Sequence, residues 1–186
     1  TLNADENQKA IGTVSAIDPF GSVVTYSISG TDASLISLDT SSGVLTFNSA
    51  PDYETKNSYE ATITAIGSIA NTEQVLTINV NNLNDNIPTF PSSAIFTGDE
   101  NQTAIGTVVA TDADGDTLTY SITGTDLSIT SSGVLTFVSE PDYENTTSYS
   151  ATVSVTDGLT SLDQAITVNV NNLNDNAPVI TSNATF

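Results

Sequence analysis

Apolar and polar residues alternate along most of the chain, except in segments rich in Gly, Asn, Asp and Pro. Residues 148–155 are a clear case, because the apolar positions Tyr149, Ala151, Val153 and Val155 are separated by Ser and Thr. A period of two predicts a β-strand with one buried face. Two further segments have the same alternation, with apolar sets Leu118, Tyr120, Ile122 and Ile166, Val168, Val170.

The whole pattern occurs twice in the 186 residues. NVNNLNDN occupies residues 79–86 and recurs without change at 169–176, and PDYE occupies 51–54 and recurs at 141–144. Self-similarity at a spacing of about 90 residues predicts two tandem copies of one module, each large enough to bury its own core.

We expect the two modules to be joined in tandem, and we take the sequence as a piece cut from a longer array. The predicted limits are 1–88 for the first repeat, 89–180 for the second, and 181–186 for the start of a following module or a tail.

No segment has the pattern of an amphipathic helix, and the Thr, Ser, Val and Ile content favours strands. SSGVLTF occurs once per module and predicts a turn into a strand, with Gly43 or Gly133 supplying the permissive backbone. The expected fold is all-β, with each module an antiparallel immunoglobulin-like sandwich of about seven short strands.

The charge is strongly negative, with 22 Asp and Glu against Lys9 and Lys56, for a formal net charge of −20. This field repels nucleic acid and anionic membrane surfaces, so neither is an expected partner. The chain has no Cys and no His, which excludes the usual zinc ligands and leaves few groups for nucleophilic or acid-base catalysis. Because these groups are few, we expect no enzymatic activity. No apolar run is long enough to span a bilayer, so we expect no membrane insertion by this segment.

The carboxylates recur at matching module positions instead of being scattered. Those shared by both modules are Glu6 and Glu100, Asp52 and Asp142, Glu54 and Glu144, and Asp85 and Asp175. The second module adds Asp112, Asp114 and Asp157. A site with only oxygen donors predicts Ca²⁺ as the bound ion in preference to Mg²⁺, because Mg²⁺ needs a smaller and stricter octahedral arrangement of ligands. An EF-hand is excluded, because Thr117 and Thr123 stand where that loop needs Gly and Glu.

The order of these motifs resembles the extracellular cadherin repeat, whose calcium motifs are an early Glu, DRE, DxNDN, DxD and a later Asp. The corresponding pieces here are DENQ, PDYE, NLNDN, DAD and VTDG. The resemblance extends over essentially the whole chain, because the series of motifs occurs once in each of the two modules. The high Thr and Ser content and the absence of Cys are similar to the bacterial cadherin-like repeats of large surface or secreted adhesins.

The resemblance implies two cadherin-type sandwiches in an elongated arrangement, with about three Ca²⁺ ions at the junction between them. The implied ligands of this full site are Glu6, Asp52, Glu54, Leu83, Asn84, Asp85, Asn86, Asp112, Asp114 and Asp157, with Leu83 and Asn86 acting through their carbonyls. A half-site awaiting a further module is implied at Glu100, Asp142, Glu144, Asn174 and Asp175.

The first module departs from the pattern at its other end. Asp18, Pro19 and Phe20 stand where the second module has DAD, and Gly67 stands in place of Asp157. We therefore expect no complete calcium site there. Two further departures, Asn82 for the first Asp of DxNDN and Tyr53 for the Arg of DRE, remove no implied carboxylate. Asp116 is interpreted as solvated surface.

The expected function is a calcium-dependent adhesion and extension repeat, located outside the cell or on its surface. Further cadherin-like repeats are the expected partners, with a cell-surface or polysaccharide ligand for the array. An alternative is a calcium-dependent carbohydrate-binding or self-associating module. The chain has no Trp, which weighs against sugar stacking and against strand swapping of the vertebrate type.

Overall fold

The computed structural model describes residues 1–181 and divides the chain into two compact units. The first unit is Thr1–Asp85, and the second unit begins at Asn86. The repeat limits 1–88 and 89–180 remain predictions from the sequence. Of the predicted tail 181–186, residues 182–186 lie outside the described residues.

The first unit has seven strands in two sheets. The strands are β1 (Leu2–Asp5), β2 (Ala10–Thr13), β3 (Thr25–Ser29), β4 (Ile36–Leu38), β5 (Val44–Phe47), β6 (Ser58–Ile66) and β7 (Asn71–Asn81). One sheet has the order β1-β7-β6-β3 and the other has the order β2-β5-β4. A single-turn 3₁₀ helix, Ala33–Leu35, precedes β4.

The second unit repeats this arrangement. Its strands are β8 (Ile95–Asp99), β9 (Ala104–Thr107), β10 (Thr119–Ile122), β11 (Leu127–Ile129), β12 (Val134–Phe137), β13 (Ser148–Thr156) and β14 (Ser161–Asn171). The sheets have the orders β8-β14-β13-β10 and β9-β12-β11. The prediction of an all-β chain with about seven strands per module is confirmed.

One strand of each unit departs from the expected antiparallel pairing. β1 pairs parallel with β7, with Leu2 opposite Ile78, and β8 pairs parallel with β14, with Ile95 opposite Thr167. Every other strand pair within residues 1–181 is antiparallel. Because the pairing is parallel, β1 and β7 end side by side at the same end of the sheet, with Asp5 opposite Asn81. Glu6 and the NLNDN segment follow directly from these two strand ends.

Each unit has its own apolar core between the two sheets. Leu45, Phe47 and Ile78 are at most 2% exposed in the first core, as are Leu135, Phe137 and Val168 in the second. Burying one such side chain contributes about 1.5–3 kcal/mol. A ring pair is also repeated, because Phe47 lies 4.9 Å from Tyr59 and Phe137 lies 5.3 Å from Tyr149 between ring centroids.

The predicted inward face of β13 is confirmed. Val153 and Val155 are fully buried, and Tyr149 and Ala151 pack against the same core from partly buried positions. Ile166, Val168 and Val170 on β14 are at most 5% exposed.

The turn before β5 needs a glycine, as predicted. Gly43 has φ of +73°, and a Cβ there would lie 2.2 Å from the Val14 carbonyl oxygen. Gly133 repeats this with φ of +86° and 2.3 Å to the Val108 carbonyl oxygen. Across residues 1–181 no helix has the length and apolar character needed to cross a bilayer.

Candidate metal centre

A buried glutamate organises one end of the first unit. Glu6, 2% exposed, follows β1 directly. Its Oε2 accepts a hydrogen bond from the Tyr53 N–H at 2.7 Å, and its Oε1 accepts one from the Leu83 N–H at 2.7 Å. One carboxylate therefore holds the PDYE turn and the NLNDN segment together.

Three acidic side chains of the first unit meet around this point. Carboxylate oxygens of Glu6, Glu54 and Asp85 lie within 4.8 Å of one another. Asn7 has a left-handed backbone with φ of 62°, and its side-chain amide donates a hydrogen bond to Asp85. The structure thus brings together three of the four carboxylates predicted from this module.

Asp52 is the fourth carboxylate, and it is not in the group of three within residues 1–181. It is exposed, and its oxygens accept hydrogen bonds from the Thr55 N–H at 3.2 Å and the Thr55 hydroxyl at 2.9 Å. The Thr55 hydroxyl is the main cause that lowers the pKa of Asp52. Asp52 is therefore ionised at neutral pH and can still offer lone pairs to a cation.

The second unit builds the same base from its own residues. Glu100 is 1% exposed and accepts hydrogen bonds from the Tyr143 N–H at 2.8 Å and the Leu173 N–H at 2.6 Å. Here Glu100, Asp142 and Glu144 form the acidic group, with ligand oxygens within 4.8 Å of one another. Asp175 accepts a hydrogen bond from the Asn101 amide at 2.5 Å.

A separate acidic loop follows β9 in the second unit. Ligand oxygens of Asp112, Asp114 and Asp116 lie within 4.8 Å of one another. Asn86 donates to both oxygens of Asp114, through its backbone N–H and its side-chain amide, each at 2.8 Å. Asp112 Oδ1 accepts the Asp114 N–H at 2.9 Å, whereas Asp112 Oδ2 is buried with no hydrogen-bond donor in the described chain.

The electrostatics of this loop show crowding of negative charge. Burial, followed by the charges of Asp112, Asp114 and Asp157, raises the pKa of Asp116. Asp157 is 8% exposed, and its pKa is lowered, chiefly because the Thr160 hydroxyl donates to Oδ2 at 2.6 Å. No Lys or Arg occurs after Lys56, so the second unit has no basic side chain of its own to neutralise these acids.

The corresponding loop of the first unit has no such group. Asp18 accepts hydrogen bonds from the Phe20 N–H at 2.8 Å and the Ser68 hydroxyl at 3.2 Å, and the Phe20 N–H is the first cause that lowers its pKa. A Cβ on Gly67 would lie 2.9 Å from the Ala70 carbonyl oxygen and 3.0 Å from Asp18 Oδ2. Among the described residues, no group of three acids includes Asp18.

Sequence reasoning missed three residues of these groups. The sequence alone places Asp116 on the solvated surface, whereas the structure brings it into the acidic loop. Asn7 and Asn101 were not singled out, although both have left-handed φ, of 62° and 63°, and both donate to the NLNDN aspartate of their unit. The signal was the shared ENQ tripeptide, since Asn is among the few residues that adopt this backbone readily.

Comparison with known proteins agrees with the fold. Residues 84–171 match the model of a family described as bacterial Ig domain. The chain is 36% identical over 161 residues to Protocadherin Fat 4 of Homo sapiens, which covers 77% of this chain and 3% of that protein. It is 32% identical over 190 residues to Cadherin-99C of Drosophila melanogaster, which covers 93% of this chain and 11% of that protein. The chain is thus a small fraction of these relatives' length.

Solved structures have the same fold. A mouse Cadherin-23 fragment, EC22-24, superposes with a TM-score of 0.79 at 23% identity, covering 94% of this chain and 64% of that one. The human Desmocollin-1 ectodomain superposes with a TM-score of 0.76 at 24% identity, covering 97% of this chain and 40% of that one. The chain belongs to the cadherin-like repeats, as two such repeats in tandem.

Proposed function

We propose that this chain is a calcium-dependent adhesion and extension segment, in which about three Ca²⁺ ions occupy the junction between the two repeats. The ions stiffen an array that works outside the cell or on its surface. Its partners are further cadherin-like repeats, and a distal part of the array carries any cell-surface or polysaccharide ligand. Catalysis has no part in this function.

The observation that carries the proposal is the acidic loop 112–116. A buried anionic oxygen without a donor is costly, because removing it from water is not compensated by a hydrogen bond. Asp112 Oδ2 is such an oxygen, and burial followed by the neighbouring carboxylate charges raises the pKa of Asp116. A divalent cation would satisfy the oxygen and neutralise the charge together.

The donor set favours calcium. Carboxylate, amide and backbone carbonyl oxygens are hard ligands, and Ca²⁺ accepts six to eight of them at about 2.3–2.6 Å in flexible geometry. The proposed ligands are the ten residues implied by the resemblance, with Asp116 as an additional acid close to Asp112 and Asp114. The half-site at Glu100, Asp142, Glu144, Asn174 and Asp175 would bind calcium when a further repeat follows.

The linker supports the proposal that one site draws on both repeats. Asp85 belongs to the acidic group of the first unit, and the next residue, Asn86, donates to both oxygens of Asp114 in the second. Two consecutive residues therefore tie the two acidic groups to one short stretch of backbone. A cation bound by both groups would restrict rotation in that stretch.

Calcium binding would be coupled to extracellular conditions. A ligand that binds only the ordered arrangement stabilises it by RT ln(1 + [L]/Kd) per independent site. Extracellular calcium modules have Kd of about 10⁻⁴ to 10⁻³ M. Millimolar calcium would thus rigidify the linker, whereas cytosolic calcium would not.

The test is small-angle scattering of the chain in calcium and in chelator. We expect calcium to narrow the distribution of distances within the molecule, because relative motion of the repeats is restricted. Asp85→Ala should abolish this change, and Asp175→Ala, its counterpart in the half-site, should leave it intact. An unchanged distribution in the parent chain, or equal effects of the two variants, would refute the junction site.

A further inference from the structure

Only two non-glycine residues among residues 1–181 have a left-handed backbone, and each directly follows the buried glutamate of its unit. Asn7 follows Glu6 with φ of 62°, and Asn101 follows Glu100 with φ of 63°. This conformation is unfavourable for a residue with a side chain, and glycine would adopt it at lower cost. An asparagine in this conformation at the same position of both units therefore needs a reason beyond the turn itself.

The backbone of each asparagine is attached to its own unit. The Asn7 N–H donates to the Pro51 carbonyl at 3.0 Å, and the Asn101 N–H donates to the Pro141 carbonyl at 3.0 Å. Pro51 and Pro141 are the first residues of the two PDYE motifs. The turn after β1 or β8 is therefore joined to a motif that supplies acids of the proposed site, and it offers a fixed support for the asparagine side chain.

The side chain of each asparagine reaches the aspartate of its own NLNDN segment. The Asn7 amide donates to Asp85 Oδ2 across 78 residues of sequence, and the Asn101 amide donates to Asp175 Oδ2 at 2.5 Å. The amide nitrogen must face the aspartate in both cases, because an ionised carboxylate only accepts hydrogen bonds. The left-handed backbone thus aims a donor at the same aspartate of the motif in each unit.

A donor matters at Asp85 because the neighbouring side chains carry the same charge. Carboxylate oxygens of Asp85, Glu6 and Glu54 lie within 4.8 Å of one another. Without a cation these charges repel, and the exposed Asp85 side chain could turn away into water. A neutral amide holds the carboxylate in place without cancelling its charge, as a lysine at this position would. The negative charge of the group therefore remains available to a cation.

We infer that Asn7 is a positioning residue, whose amide holds Asp85 beside Glu6 and Glu54 before a cation binds, and that Asn101 does the same for Asp175. This inference rests on the proposed calcium site and deepens it. A ligand that is already in place loses less freedom when the cation binds, so the affinity is higher. Groups that orient metal ligands in this way typically contribute about 10–100-fold to metal affinity.

The first experiment records NMR spectra of the full chain in chelator, so its result does not depend on calcium. The side-chain amide protons of Asn7 should be shifted downfield, and Asp85→Ala should return them to the position of an exposed amide. Asn7→Gly keeps the backbone conformation accessible and removes the donor. In this variant the three-bond couplings that report χ1 of Asp85 should change from those of one rotamer to averaged values. Unchanged Asn7 signals in Asp85→Ala, or an unchanged Asp85 rotamer in Asn7→Gly, would overturn the inference.

The second experiment compares variants by calorimetric titration with Ca²⁺ and by urea unfolding in chelator. Asn7→Gly should weaken calcium binding about tenfold or more. Asn7→Ala should weaken binding at least as much, and it should lower the urea midpoint of the first unit more than Asn7→Gly does, because alanine is strained at this φ. Asn101→Gly is the matched control, because Asp175 belongs to the half-site, and it should leave the affinity of the junction site unchanged.

The glycine variant separates positioning from a purely structural role. If Asn7 served only to form the turn, Asn7→Gly would bind calcium as tightly as the parent chain. That result would overturn the inference and leave the proposed function intact. A parent chain that takes up no calcium would refute the proposed function instead, and the spectra in chelator would still decide whether Asn7 holds Asp85.

Discussion

Replacing Asp112 with Asn should reverse the sign of its effect on stability between calcium-free and calcium-loaded protein. In chelator the change removes one charge from a group whose ligand oxygens lie within 4.8 Å of one another. It also converts a buried oxygen that lacks a donor into an amide group that can donate to a neighbouring carboxylate. The acceptor for the Asp114 N–H is kept, because Asn retains an oxygen.

The expected size follows from Coulomb's law. Two unit charges at this separation repel by about 1 kcal/mol in water and about 3 kcal/mol at an effective dielectric constant of 20. Because Asp112 and Asp114 are partly exposed, we expect the lower figure, so that Asp112→Asn stabilises the calcium-free second unit by about 1 kcal/mol. In calcium the variant loses binding free energy, which is about 1.4 kcal/mol per ion when calcium is at ten times its Kd and therefore exceeds the gain from the removed charge.

The assay is hydrogen exchange of β13 and β14 amides as a function of urea, in chelator and in millimolar calcium. These strands report the second unit alone. Asp126→Asn is the matched control, because it removes the same charge from an exposed position of that unit. If Asp112→Asn destabilised the calcium-free unit, or if calcium left its effect unchanged, the argument from charge crowding would be wrong.

Three further predictions concern single side chains. Glu6→Gln should lower the unfolding free energy of the first unit by about 1.5–3 kcal/mol, because one of the two N–H groups that now donate to Glu6 would face an amide N–H₂. Urea unfolding in chelator measures this loss. A loss smaller than that of the exposed control Glu60→Gln would contradict the prediction. Asp157→Asn should destabilise the calcium-free second unit at pH 7. The lowered pKa of Asp157 in the native state contributes stability above the unfolded pKa of about 3.9, and this stability is lost as pH falls through the native pKa. The difference in unfolding free energy between variant and parent, followed by hydrogen exchange, should therefore vanish in acid, and a difference that persists there would refute the cause. Gly43→Ala should lower the unfolding free energy of the first unit by about 2 kcal/mol or more, because the new Cβ would clash with the Val14 carbonyl and the residue would also be strained by its positive φ. Gly21→Ala is the control, because Gly21 has a φ of +76° but open space around it, and it should lower the unfolding free energy less in the same urea assay.

Much of the fold follows from the sequence because its signals are local. Alternation over β13 and β14 predicts which residues face the core, and the two-fold repeat predicts two units with separate cores. The parallel pairing of β1 with β7 did not follow, because a short strand such as Leu2–Asp5 has the same alternation whichever direction its partner runs.

The acidic groups were predictable where the repeated motifs carry carboxylates. Glu6, Glu54 and Asp85 converge as expected, and so do Glu100, Asp142 and Glu144. The inclusion of Asp116 in the acidic loop was not predictable, because it depends on how the loop folds to bring the oxygens of Asp112, Asp114 and Asp116 close together. The spacing of these residues in the sequence does not determine that fold.

Calorimetric titration of the 186-residue chain with Ca²⁺ tests the central claim most directly. We predict about three ions per chain at millimolar calcium, weaker binding of Mg²⁺, and loss of most of the heat in Asp85→Ala. A chain that takes up no calcium at millimolar concentration, or that binds Mg²⁺ equally well, would contradict the account.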